Sequence, residues 1–111
     1  MTQEKISRKE LLKASLPGFT LDAVDVREIT LRPGQKTGLH KHPCPVFGFI
    51  LEGTAIVQID GQAEQRVPAG GACFEPAETT ILRFDNASDQ QPLRFVACYL
   101  LREGQTLIEM L

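Results

Sequence analysis

His40 and His42 are the only histidines of this 111-residue chain, and they stand two apart in His40-Lys41-His42-Pro43. In an extended backbone, residues i and i+2 point to the same face, so two such imidazoles can reach one metal ion. Neutral imidazole suits zinc, iron, copper, nickel or manganese with differing affinity. The competing reading makes both histidines exposed loop residues beside Pro43 and Pro45, and short motifs of this kind match by accident often.

Other chemistry is thinly represented. Cys44, Cys73 and Cys98 are odd in number and lack C-x-x-C spacing, so they read as reduced thiols. Buried cysteines usually act as small hydrophobes. Cys44, in the segment of the histidines, is the best placed of the three for a mixed His/Cys metal site. No Gly-x-Ser-x-Gly accompanies the histidines, and Pro68-Ala69-Gly70-Gly71 joins two strand-like runs rather than opening a phosphate-binding helix.

The elements that must position His40 and His42 read as β-strands. Ala23 to Arg32, Val46 to Leu51, Thr54 to Ile59, Gln62 to Val67, Ala72 to Glu75, Thr79 to Phe84 and Pro92 to Leu101 are β-rich runs bounded by turn residues. Asp60-Gly61 predicts a two-residue hairpin between the third and fourth runs. The polar stretch Asp85 to Gln91 reads as a loop. About eight strands without a βαβ rhythm predict one antiparallel sandwich or barrel. Before them, Ser7-Arg8-Lys9-Glu10 matches a capping box, predicting a short helix or turn over Ser7 to Ala14 that Leu16-Pro17-Gly18 ends. Residues 1–22 are thus expected to form a covering arm, and 23–111 the barrel.

Composition sets outer bounds. A 42% hydrophobic content over this length supports one modest core. The 12 basic and 14 acidic residues are interspersed, with net charge −2, so neither nucleic acid nor an anionic membrane is an expected partner. Met1 to Lys13 is charged and lacks an apolar signal stretch, which makes a cytoplasmic protein the expectation.

The spacing around the histidines resembles the first motif of the cupin superfamily: a glycine, five residues, His-x-His, three or four residues, a glutamate, then six residues and a glycine. Gly34, His40-Lys41-His42 and Gly53 fit, with Val46 at the glutamate position. The second cupin motif is a glycine, five residues, Pro-x-Gly, two residues, a histidine, three residues and an asparagine. Gly70, Pro76 and Asp85-Asn86 fit it, but Glu78 replaces the glycine and Ile81 the histidine. The resemblance spans Val24 to Leu101. It implies an all-β double-stranded β-helix, or jelly-roll barrel, often dimeric, with a metal near one mouth.

Two of the four usual ligands are absent, and Glu75 is the best substitute. The corresponding cupin strand carries apolar residues where Cys73 and Glu75 stand, and alternation puts these two on one face. If that face is the interior, His40, His42 and Glu75 make a 2-His-1-carboxylate set for Fe, Mn, Ni or Zn, with Val46, Cys73 and Ile81 as pocket wall. If Glu75 reaches the rim, it pairs with Arg83, Arg94 or Lys41. With Val46 inward, Phe47, Phe49 and Leu51 point out as an apolar strip for the arm or a second subunit to cover. Phe74, Phe84, Phe95 and Tyr99 read as packing, and Phe19 as the anchor of the arm.

Three functions compete on these residues. One is a metal-binding cupin holding a small organic ligand, acting as a dioxygenase or isomerase. The second is a non-enzymatic binding or sensing module without metal, motivated by the apolar Val46 and Ile81. The third is a structural protein whose dimer interface is its purpose.

Overall fold

A computed structural model describes residues 5–111. The strands among them are β1 (Ala23–Leu31), β2 (His40–Lys41), β3 (Val46–Glu52), β4 (Thr54–Ile59), β5 (Gln65–Pro68), β6 (Ala72–Glu75), β7 (Ile81–Asn86), β8 (Leu93–Leu101) and β9 (Glu109–Met110). They form two antiparallel sheets, ordered β1-β8-β3-β6 and β5-β4-β7-β2-β9. This is the all-β jelly roll expected of the chain. No helix among the described residues is long and apolar enough to cross a membrane.

Alternation builds the core between the sheets. Val46, Ile50, Leu93, Phe95, Ala97 and Tyr99 face inward from one sheet, meeting Ala55, Val57, Ile81 and Phe84 from the other. Complete burial of a side chain such as Ile50 or Leu93 contributes about 1.5–3 kcal/mol. Phe84 and Phe95 bridge the layers with ring centroids 4.7 Å apart. Two glycines are set by close approach. A Cβ on Gly48 would stand 2.8 Å from Cys73 Sγ, and one on Gly53, where φ is +85°, would stand 2.8 Å from the Pro92 carbonyl oxygen.

Several boundaries differ from the sequence reading. Ser7 to Ala14 forms neither helix nor turn. A capping box cannot offset helix nucleation in so short a segment, and Lys9 to Leu12 instead border a groove with Phe47 and Phe49. The Asp60-Gly61 turn does form, closed by the Gln62 N–H donating to the Ile59 carbonyl at 3.0 Å. It does not, however, join a two-residue hairpin. The β4–β5 ladder runs from Thr54↔Pro68 to Val57↔Gln65, one residue out of the register that the turn implies. On its other edge β4 meets β7 across a bulge, Gln58 pairing with Arg83 and Ile59 with Ile81. Asp85 and Asn86 belong to β7 rather than to a loop. β2 and β9 are too short to show as periodic runs.

Candidate metal centre and ligand cavity

His40 lies on β2, which is clamped on both sides: His40 pairs with Ile81 of β7 and with Met110 of β9. His42 follows just beyond β2, and Glu75 ends β6. All three are buried, at 3%, 5% and 5% exposure. One ligand atom from each lies within 4.8 Å of the others. Glu75 therefore faces the interior, with Oε2 2.6 Å from His42 Nε2. The cations that could have drawn it to the rim are engaged elsewhere. Lys41 contacts Glu78 and Glu109, Arg83 contacts Asp85 and Glu64, and Arg94 contacts Glu28 and Glu52.

Backbone carbonyls fix both imidazoles. His40 Nδ1 is 2.7 Å from the Gly38 oxygen, and His42 Nδ1 is 2.6 Å from the Leu107 oxygen. A carbonyl only accepts, so each Nδ1 carries the proton and each Nε2 is the coordinating nitrogen. Burial disfavours the imidazolium of His42, but the hydrogen bond and charge of Glu75, with help from the Leu107 carbonyl, outweigh it and raise the affinity for a proton above the ordinary value. Without an ion, His42 Nε2 and Glu75 Oε2 thus face each other in a buried contact at 2.6 Å. The donors fit a divalent transition metal: two oriented imidazoles and one carboxylate, each Nδ1 already held by an acceptor.

The cluster opens on a cavity of about 270 Å³, bordered by Val46, Gly48, Cys73, Phe84, Phe95, Ala97 and Tyr99 from the strands. Val46 and Cys73 stand where the sequence puts them. Ile81 does not border the cavity; it is fully buried in the core beside His40, its cross-strand partner. Burial and the charge of Glu75 push the Cys73 thiol up to about 12, which keeps it a neutral thiol. Cys44 is buried away from the cavity, and burial raises its thiol too. A mixed His/Cys centre is not what this arrangement offers.

Several contributors escaped the sequence reading. Tyr99, taken as packing, sets its ring edge-on to His42 with centroids 5.8 Å apart. Burial and the Glu75 charge hold its hydroxyl protonated beyond the usual range, partly opposed by Arg27. The inward parity of Phe95, Ala97 and Tyr99 could have signalled this. Thr37 borders the cavity, and its Oγ1, shielded from solvent, has no hydrogen-bond partner among the described residues. Leu107 supplies the carbonyl to His42, and Ile108 closes part of the wall. No periodic signal marks that tail.

The departures from the cupin motifs acquire positions. Val46, at the glutamate position on β3, pairs directly with Glu75 on β6. The carboxylate has moved one strand sideways and still points inward. Glu78, at the glycine position, keeps a left-handed φ of 59°, the only positive φ of a non-glycine among the described residues. On the outer face Phe47 stacks on Phe74 at 5.0 Å, and Phe49 and Leu51 point the same way. The arm lies beside that strip, with Phe19 under the Arg102 guanidinium at 5.7 Å.

A two-sheet β-barrel with a buried His/His/carboxylate cluster bordering an apolar cavity defines a jelly-roll domain. The chain belongs to the cupin domain family, whose pattern matches residues 27–99. No curated protein matches it in sequence. Among solved structures it is similar to DMSP lyase DddQ from Ruegeria pomeroyi, at 20% identity and TM-score 0.68, covering 80% of this chain and 43% of the lyase. It is also similar to a cupin-like protein from Thermotoga maritima, at 18% identity and TM-score 0.67, covering 79% of this chain and 64% of that one. Oxalate decarboxylase from Bacillus subtilis, a protein with Mn(II) centres, gives 22% identity and TM-score 0.68 over 79% of this chain and 24% of its own. The chain spans less than half of the lyase and about a quarter of the decarboxylase, and at these identities the likeness concerns the fold.

Proposed function

We propose that this protein is a metal-binding cupin in which His40, His42 and Glu75 hold one divalent transition ion, Fe, Mn, Ni or Zn, beside a small organic ligand in the cavity. The observation that carries the proposal is the convergence of three buried donors whose imidazoles are both oriented through Nδ1. A bound ion of this kind supplies Lewis acidity and open coordination positions. The chain's own residues do the rest. Phe84, Phe95 and Ala97 exclude water, Tyr99 and Thr37 offer hydroxyls to the ligand, and the Gly38 and Leu107 carbonyls keep the imidazoles aimed. Such a site suits a dioxygenase or an isomerase. Relatives of the fold that carry Mn(II) centres or act as lyases support the class.

Elemental analysis of protein purified without chelator, beside a His40→Ala/His42→Ala variant, tests the reading. Near-stoichiometric metal in the wild type and none in the variant is expected. Equal, negligible metal in both overturns it.

One observation favours a metal-free binding module as the second reading. The 2.6 Å contact between His42 and Glu75 satisfies both groups without an ion. Thermal stabilisation by small acids but by no metal would select that reading. For association, the strip of Phe47, Phe49 and Leu51 with the exposed Val24 and Val26 of β1 supports a homodimer through the outer sheet face.

A further inference from the structure

The inner face of β1 carries a cation that the site above does not use. Asp25, Arg27 and Ile29 share one face of the strand by alternation. That face is the interior, because Ile29 borders the cavity and so do the β8 residues opposite the three, Tyr99, Ala97 and Phe95. Arg27 thus shares this face with Ile29 and stands opposite Ala97, both of which border the cavity, while Arg27 itself lies outside that border with its side chain 57% exposed.

Its guanidinium is oriented but not saturated. Nε and Nη2 donate to the two carboxylate oxygens of Asp25 at 2.9 and 3.1 Å, and Asp25 is its only hydrogen-bond partner among the described residues. Arg83 and Arg94, by contrast, each lie between two carboxylates. A guanidinium has five N–H donors in a planar fork, so Arg27 keeps donors for a second carboxylate. Among the described residues no lysine or arginine borders the cavity itself, whose walls are mainly apolar. The cavity is near the lower end of the size range of small-molecule sites. An occupant matching these features is short, has an apolar middle, and carries an anion at the end nearest Arg27.

We propose that Arg27, held in orientation by Asp25, binds the carboxylate of a short aliphatic acid whose hydrocarbon lies against Ile29, Phe95 and Ala97 and whose far end faces the His40/His42/Glu75 cluster. The proposal names the ligand class of the cavity and rests on the reading of that cavity as the ligand site. Arg27 is a specificity-determining residue under it, and Asp25 a positioning residue.

Isothermal titration of the full-length, metal-analysed protein with propionate, butyrate and hexanoate, and with the matching neutral amides, tests it. The wild type should bind at least one acid about tenfold or more tightly than its amide. Arg27→Gln should erase that preference, so that this variant binds acid and amide with equal affinity. Arg27→Lys, which keeps the charge without the fork, should retain part of the preference, and Asp25→Asn should keep the preference but change the temperature dependence of binding as the fork loosens. Equal affinity for acid and amide, an acid preference that survives Arg27→Gln, or no acid bound across the series overturns the proposal. Metal content is read on the same samples. Stoichiometric metal without acid preference rejects the role of Arg27 and leaves the metal reading standing. Acid preference in protein that takes up no metal does the reverse.

Discussion

Val46 and Glu75 stand directly opposite each other on β3 and β6, so the carboxylate that the first cupin motif expects on one strand is delivered from its neighbour. Side chains of such a pair leave the sheet on the same face, with Cβ atoms about 4.5–5.5 Å apart. A ligand can therefore be exchanged between the two positions with a small displacement.

That exchange is directly testable. Glu75→Val should abolish metal uptake, and Val46→Glu/Glu75→Val should recover a substantial part of it, since the carboxylate again faces His42 from the paired position. Metal titration of the three proteins reads the outcome. Failure of the double variant, with its fold intact by circular dichroism, would mean that the site tolerates only the β6 carboxylate.

The C-terminal tail acts on the histidines through backbone contacts. Leu107 accepts the His42 Nδ1–H, β9 pairs with β2, and Gln105 Nε2 donates to the Pro43 carbonyl at 3.1 Å. Partners that orient metal-bound imidazoles are typically worth 10–100-fold in affinity. Deleting residues 105–111 should weaken metal binding by about that factor while the far-UV spectrum keeps its β signature. Unchanged metal affinity would dismiss the tail as a component of the site.

The His42–Glu75 pair predicts a pH dependence for metal-free protein. The folded proton affinity of His42 is raised above that of the unfolded chain. Its contribution to stability is therefore complete below the unfolded value of about 6.5 and is lost as pH rises through the raised folded value. Melting temperature of the wild type minus that of His42→Gln should shrink across that interval. Metal uptake should show the opposite trend, strengthening with pH as the Nε2 proton becomes easier to displace.

Packing between Gly48 and Cys73 sets a fourth expectation. Gly48→Ala forces a Cβ to 2.8 Å from Cys73 Sγ and should cost about 1–3 kcal/mol in denaturant unfolding. Cys73→Ala in the same background should restore much of the loss, since it removes the sulfur. Equal destabilisation in both backgrounds would show that the strain is relieved elsewhere.

The sequence alone determined the barrel, because its signals are local. Short alternating runs broken by Pro33-Gly34, Glu52-Gly53 and Pro68 to Gly71 place β1, β3, β4, β6 and β8 close to their observed bounds. The same alternation groups Val46, Gly48 and Ile50 on one face and Cys73 with Glu75 on another, while the choice of Glu75 between the histidines and the rim cations fell to the structure.

What lacked a local signal was decided in three dimensions. The β4–β5 register departs by one residue from the one that the Asp60-Gly61 turn implies. Tyr99 becomes a cavity residue through its strand's neighbours, and Ile81, although it pairs with His40, is buried in the core outside the cavity border. His42 owes its orientation to a carbonyl 65 residues away. Side-chain parity is written into each strand, whereas register, bulges and the docking of a tail depend on which backbone hydrogen bonds the assembled sheets can satisfy together.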